Sequence, residues 1–209
     1  MTDSVGDPIV FVVDDDAPVR TAIGRLLESV GLQCETFPDA AAFLRRAADH
    51  PFGCVILDLR LPGPSGLDLQ RELLAGGHDF PIIFISAYAD VAVTVRAMEA
   101  GAIEFLTKPF EDQVLLDAVH YALDAARRRR QDREEVTALR SRFDTLTSRE
   151  REVMGFVAAG MLNKQIASAL GTSEKTVKVH RAQVMHKMGA DSLAALVRMA
   201  DRLRLPGHH

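Results

Sequence analysis

The sequence predicts an α/β domain built on a parallel sheet with helices on both faces, followed by an all-α domain. Three observations predict it. Through the first 125 residues, short β-rich apolar runs alternate with amphipathic helical stretches, the pattern of a parallel sheet wound by helices. From residue 145 onward capping signals and helical periodicity follow one another with no strand between them. Charge divides at the same place: residues 1–125 carry 8 Lys and Arg against 20 Asp and Glu, a net of -12, and residues 126–209 carry 17 against 9, a net of +8. The total of -4 conceals this asymmetry. An acidic first half accepts cations and repels nucleic acid, whereas a basic second half has the electrostatic footprint of a phosphate-backbone binder.

Length and composition set the outer bounds. A chain of 209 residues, 47% hydrophobic and 26% charged, has the ordinary make-up of soluble globular protein and can hold two domains. No apolar run is long enough to span a bilayer, and the stretch from Met1 to Asp7 is acidic rather than a basic, cleavable signal. A cytoplasmic location with no membrane partner is therefore expected. Cys34 and Cys54 lack CxxC spacing and fall in predicted strands, as small core residues of a reduced compartment. The seven histidines show neither HExxH nor finger spacing and are read as solvated or packed. His208 and His209 are either native or an appended pair.

Five strands are expected near residues 9–13, 33–37, 53–57, 81–85 and 103–106. The helices between and after them are expected near 17–30, 39–49, 66–75, 91–100 and 111–126, with Gly31 and Gly101 where two of them stop. The strand ends carry the chemistry. Ile9-Val-Phe-Val-Val13 runs into Asp14, Asp15 and Asp16, and Val55-Ile-Leu runs into Asp58, with the turn Pro62-Gly-Pro-Ser-Gly66 soon after. The fourth strand delivers Ser86, and Phe105-Leu-Thr leads to Lys108. In an open parallel sheet such ends converge at one rim, where ligands bind. Adjacent acids repel, and the bland account is solvation or turn capping. A divalent cation removes the cost instead, and Mg2+, which takes oxygen ligands and keeps several waters, suits carboxylates from different strand ends.

Residues 126–144 are rich in Arg and Glu and are expected to form a helical linker. Its run Arg127 to Arg130 is either a solvated face or a nucleic-acid contact, and its stripe of Val136, Leu139 and Phe143 suits a dimer. The last part opens on a capping box, Thr147 with Glu150, ahead of Val153, Phe156 and Val157. That helix should stop near Gly160. A short helix from Lys164 to Leu170, capped by Asn163, is followed by Gly171-Thr-Ser and a longer helix from about Glu174 to Met188. Two helices joined by a short Gly-containing turn form a helix-turn-helix, whose second helix enters the major groove. On a helical wheel Val177, Val184 and Met188 share the core side, whereas Lys175, Lys178, Val179 and Ala182 gather elsewhere with His186 near their edge. Lys suits guanine or phosphate, Val179 and Ala182 suit a thymine methyl, and Arg181 at the margin suits the DNA backbone.

With these residues in place, residues 8 to about 125 resemble the receiver domain of two-component response regulators. Leu146 to Met199 resemble the LuxR-type helix-turn-helix of the FixJ/NarL family, nearer FixJ, through Leu146-Thr-Ser-Arg-Glu-Arg-Glu-Val, Asn163-Lys-Gln-Ile-Ala and Lys175-Thr-Val-Lys-Val-His180. The resemblance implies a five-stranded, CheY-like receiver at 1–125, a linker at 126–144 and a four-helix DNA-binding domain at 145–209. It makes Asp58 the phosphoryl acceptor, Ser86 the switch hydroxyl, Phe105 the switch aromatic and Lys108 the phosphoryl counter-ion. Asp14, Asp15, Asp58 and the backbone carbonyl of Arg60 would hold Mg2+. Lys175, Thr176, Lys178, Val179, Arg181 and Ala182 would meet DNA. Relatives often carry a basic residue where Ala182 stands, so a third basic base contact is not expected here.

The implied partners are a sensor histidine kinase, double-stranded promoter DNA, a second copy of the chain after phosphorylation, and RNA polymerase. No GxxxxGK[ST] or kinase motif set is present, so the chain is expected to accept a phosphoryl group rather than handle ATP. It is not expected to be an enzyme beyond slow self-phosphorylation and self-dephosphorylation. Two rival readings remain: a DNA binder whose first domain needs no phosphate, and an Mg2+-dependent aspartyl-phosphate phosphatase.

Overall fold

The structure is a computed structural model in which residues 7–47, 52–88 and 90–203 are described. It divides into two compact units at Arg130/Gln131, and each is described by itself. The first contains strands β1 (Ile9–Val13), β2 (Gln33–Phe37), β3 (Gly53–Asp58), β4 (Ile82–Ser86) and β5 (Glu104–Thr107). Helices α1 (Ala17–Ser29), α2 (Ala40–Ala47), α3 (Gly66–Ala75) and α4 (Val91–Glu99) alternate with them. All the pairings are parallel, in the order β2-β1-β3-β4-β5. Strand order reverses between β1 and β3, which puts the ends of those two strands at a switch point.

Alternation along each strand feeds two cores. Phe11, Val13, Val55, Leu57 and Phe84 pack under α2, α3 and α4, while Val10, Val12, Ile56, Ile83 and Ile85 pack under α1 and the helix that follows β5. Strand β3 is buried along its whole length. Full burial of a side chain such as Ile56 or Leu57 contributes about 1.5–3 kcal/mol, so β3, like the equally buried β4, is firmly held in the sheet. Its last residue is Asp58. Cys34 is half-buried and Cys54 buried, and both are free thiols. Burial pushes the Cys34 thiol up to about 11, which leaves it inert near neutral pH.

Strands β4 and β5 lie one residue later than expected. Pro81 has no N–H to give a ladder; its carbonyl accepts from the Val55 amide at 2.9 Å, and regular pairing begins at Ile82. The last two positions of the helix expected at 39–49 lie outside the described residues, as do His50, His208 and His209.

A larger departure concerns the helix expected to end at 126. Helix α5 runs without a break from Asp112 to Asp144, and no Gly or Pro interrupts those 33 residues. The expected linker is thus the second half of a helix that starts in the first unit. Its arginine run is largely engaged within that unit: Arg129 pairs with Asp79 at 2.5 Å and Arg130 stacks over Phe52 at 4.6 Å. The nucleic-acid alternative loses those two side chains.

In the second unit α6 (Ser148–Ala158), α7 (Asn163–Ala169), α8 (Glu174–Met188) and α9 (Leu193–Arg202) surround one core. Leu139 and Phe143 of α5 belong to that core, so the stripe expected to favour a dimer serves the fold, with Val136 left half-open. Asn163 is not the cap of α7. Leu162 holds that position, its amide donating to Gln165 Oε1 at 2.7 Å, while Asn163 Oδ1 accepts from Arg181 of α8 at 2.6 Å.

The capping box of α6 does more than start a helix. Glu150 accepts from the Thr147 amide at 2.8 Å and from Lys187 Nζ of α8 at 2.6 Å, and it is 5% exposed. The Lys187 hydrogen bond, followed by that of Thr147, holds its carboxyl below the usual range. Its stabilisation is therefore complete above the ordinary carboxylate pKa and fades as pH falls through the lowered one. Glu150→Ala is expected to cost this unit about 2 kcal/mol at pH 7, through the lost cap and an unpaired Lys187, and less in acid once pH has fallen through the lowered carboxyl value. Denaturant titrations at the two pH values check it.

Candidate functional site

The rim at the C-terminal ends of β1, β3, β4 and β5 gathers the expected side chains. Asp14 is fully buried; its Oδ1 accepts from the Asp16 amide at 2.9 Å and its Oδ2 from Lys108 Nζ at 2.6 Å. The same ammonium lies 3.5 Å from Asp58 Oδ2, so one cation serves two carboxylates and sits closer to Asp14. Asp58 is 8% exposed and receives a long contact, 3.4 Å, from the Arg60 amide. Burial raises its carboxyl above the ordinary value, Lys108 opposes that, and Asp14 adds to it. Asp15 is exposed, and carboxylate oxygens of Asp14, Asp15 and Asp58 lie within 4.8 Å of one another. Among the described residues this is the one such cluster of three or more metal-capable side chains. Two buried carboxylates and an exposed one, with a single ammonium among them, form an all-oxygen set whose unbalanced charge fits Mg2+.

Local sequence explains why the rim is tight. Gly66 starts α3 beside β3: its amide donates to Leu59 O at 3.0 Å, and a Cβ there would collide with the Asp58 carbonyl and lie 3.1 Å from the Phe84 ring. Gly66→Ala is expected to destabilise the first unit by about 1–3 kcal/mol through overpacking. It should also slow any reaction at Asp58, and thermal melting alongside a labelling time course reads both effects.

The other rim groups come from β4 and β5. Ser86 is 1% exposed, its Oγ accepting from the Tyr88 amide at 3.2 Å and its carbonyl from the Lys108 amide at 2.7 Å. The peptide bond after Lys108 is cis. Phe105 is half-buried, with its ring 6.3 Å from that of Phe84. Sequence reasoning missed one pairing: the Arg60 guanidinium lies over the Tyr88 ring at 3.8 Å, joining the loops after Asp58 and Ser86. A basic residue two positions after one strand end and an aromatic two after another was the available signal.

The basic helix α8 sorts as expected. Val177, Val184 and Met188 are buried, and Lys175, Thr176, Lys178, Val179, Ala182 and His186 are exposed, Val179 at 55%. His180 is half-buried. Arg181 is half-buried and bonded to Asn163, so part of its donor capacity is already used within the unit. Gln183, one turn beyond Val179 and exposed, was overlooked, although the same wheel places it beside that residue. Ser173 caps the helix, its Oγ accepting from Thr176 N at 3.1 Å. Gly189 stops it in the left-handed conformation, φ 69°, where a non-glycine residue would be strained.

Comparison with known proteins meets this geometry from outside. Residues 10–120 match the response regulator receiver domain, and residues 144–200 match the bacterial regulatory proteins of the luxR family. The chain is 47% identical over 208 residues to nodulation protein W of Bradyrhizobium diazoefficiens, covering all of this chain and 92% of that protein. It is 42% identical over 194 residues to the transcriptional regulatory protein FixJ of Rhizobium meliloti, covering 93% and 95% of the two. Among solved structures, the response regulator StyR aligns at TM-score 0.79 and 48% identity, over 94% of this chain and all of that one. Full-length FixJ from B. japonicum aligns at 0.58 and 38%, over 97% and 100%.

Proposed function

Because the chain belongs to the response regulators that join a receiver domain to a LuxR-type DNA-binding domain, we propose that Asp58 accepts the phosphoryl group and thereby controls how α8 engages promoter DNA. The observation that carries this reading is Lys108 Nζ, 2.6 Å from Asp14 and 3.5 Å from Asp58, at a rim that also presents Ser86. An ammonium beside a nucleophilic carboxylate and a buried hydroxyl is what an incoming phosphoryl group requires.

Phosphoryl transfer depends on alignment and charge neutralisation more than on covalent assistance. Asp58 attacks phosphorus, the bond to a phosphohistidine of a sensor kinase breaks, and the pair returns to the imidazole. Lys108 moves its hydrogen bond toward the phosphoryl oxygens. Asp14, Asp15, Asp58 and the carbonyl of Arg60 would hold Mg2+, which supplies positive charge against the phosphoryl dianion. Ser86 then exchanges its bond from the Tyr88 amide for one to a phosphoryl oxygen, and Phe105 turns into the space it leaves. The face carrying Val91, Val95 and Met98, exposed at 78%, 47% and 41%, repacks and pairs with a second copy. A twofold dimer sets two copies of α8 on half-sites about one DNA turn apart. Contact with RNA polymerase would follow on the promoter.

No helix among the described residues is long and apolar enough to cross a membrane, which accords with action in the cytoplasm. The chain acts as a regulator, with phosphoryl gain and loss at Asp58 too slow to count as turnover.

The test is to treat the chain with acetyl phosphate and Mg2+. Label should appear on Asp58, the dimer fraction should rise, and binding to a selected duplex should tighten. Labelling with no change in association overturns the coupling; DNA affinity indifferent to label favours the phosphate-independent reading; sustained turnover of a small phosphate ester favours a phosphatase.

A further inference from the structure

Five polar or charged side chains are buried among the described residues. Asp14, Asp58 and Ser86 belong to the rim, and Glu150 caps α6. The fifth, Gln70 of α3, is 2% exposed and has no part in either. Its Nε2 donates to the carbonyls of Ala100 at 3.1 Å and Ala97 at 3.3 Å, in the closing turn of α4. Ala97 O already accepts from the Ala102 amide at 3.1 Å. The carbonyl of Ala100 lies past the last turn of the helix, and the amide of Gln70 supplies it a donor. The other half of the amide, Oε1, is buried without a partner.

A leucine of similar volume would avoid burying an unpaired oxygen, so packing alone does not account for a glutamine here. Its donor does. Helix α4 needs one: Ala97 is its single buried residue, and its N-terminal cap, Asp90, bonds Ala92 N at the surface. Helix α3, in contrast, is held beside the end of the acceptor strand by the Gly66 amide on Leu59 O and by the burial of Leu69 and Leu73 in the core under the sheet. The far end of α4 is thus tied through Gln70 to α3, which adjoins the strand carrying Asp58, while its near end follows the Ser86 loop and rests on the half-buried Val93 and the Asp90 cap.

We infer that Gln70 is a positioning residue that pins the C-terminal end of α4, so that α4 pivots about that end when the acceptor is charged. Its value in switching rests on the reading above, in which phosphorylation repacks the α4 face; the tie itself does not. Without the donor α4 leaves the body more readily, and the uncharged form loses part of its restraint.

The experiment compares full-length wild type with Gln70→Leu, which keeps volume and removes donor and orphan together, and Gln70→Glu, which sets a carboxylate against two carbonyls. Amide hydrogen exchange is followed without any phosphoryl donor, and dimer fraction with and without acetyl phosphate and Mg2+. In both variants exchange should quicken about tenfold in α4 and at Gly101 and Ala102, while α1 and the sheet keep wild-type protection. The unphosphorylated dimer fraction should rise, so that phosphorylation adds less. Unchanged exchange in α4, or faster exchange throughout the unit, overturns the pin. Faster exchange in α4 with an undiminished response to phosphate overturns its part in switching. If wild type itself fails to associate on phosphorylation, the functional reading falls, and the exchange result still decides the tie.

Discussion

Asp58→Asn is expected to abolish labelling by acetyl phosphate and, with it, any phosphate-dependent rise in association or DNA affinity. The amide keeps the shape of the side chain but is no nucleophile for phosphorus. The same substitution should stabilise the first unit at neutral pH in Mg2+-free buffer. Burial and the neighbouring Asp14 push the Asp58 carboxyl above its ordinary value, more than Lys108 pulls it down. A raised acid binds its proton more readily when folded, so ionising Asp58 costs stability as pH climbs from the ordinary value of 3.8 through the raised one, and the cost is complete above that. Asparagine escapes it. The expected gain is a higher melting midpoint, absent well below the ordinary carboxylate value and constant above the window. Saturating Mg2+ should reverse the order, since it stabilises the carboxylate cluster and gains less from an amide. A variant that melts with wild type at every pH, with and without Mg2+, would show that the rim stores no charge strain.

Much of this was legible in the chain because the relevant signals are local. Strands β1 and β3 are continuous apolar runs, and a run that ends in Asp14 or Asp58 declares both its burial and its rim. The capping pair Thr147 and Glu150 and the stop at Gly160 are written within a few residues of the helix they bound. What escaped has its cause across the chain. The true length of α5 depends on Arg129 meeting Asp79 and Arg130 meeting Phe52, contacts spanning 50 and 78 positions, and on Leu139 and Phe143 joining a core built mostly from later helices. Local composition read those arginines as solvent-facing. Asn163 looks like a cap by residue type, but the helix begins one position earlier, and Arg181 on another helix claims its side chain. Gln70 gave no signal at all, because a glutamine in an amphipathic helix reads as surface until the end of α4 is placed over it. The site was found through strand ends, which the sequence marks. Its restraints lie in helix–helix contacts, which it does not.

Lys178→Ala is expected to weaken binding to a specific duplex about 10- to 100-fold while leaving Asp58 labelling and the melting of either unit unchanged. Lys178 is exposed on the side of α8 that also shows Lys175, Val179 and Ala182. A base or phosphate contact by such a side chain contributes about 1–3 kcal/mol. If its partner is a phosphate, affinity falls alike on all sequences and the slope of log affinity against log salt drops by about 1; if it is guanine, discrimination at one position is lost instead. Val179→Ala should cost less and act through discrimination, because a half-open valine offers methyl contact and no charge. Arg181→Ala separates the recognition side from its support. Arg181 is bonded to Asn163 of α7, so its loss should loosen the packing of α7 on α8 and lower the melting midpoint as well as the affinity. Titrations at several salt concentrations, each with a melting curve, distinguish the three. If Lys178→Ala binds like wild type while Arg181→Ala abolishes binding without destabilising the unit, then α8 meets DNA on the Arg181 side, about 130° round the helix from the midpoint of Val179 and Ala182, and the assigned face is wrong.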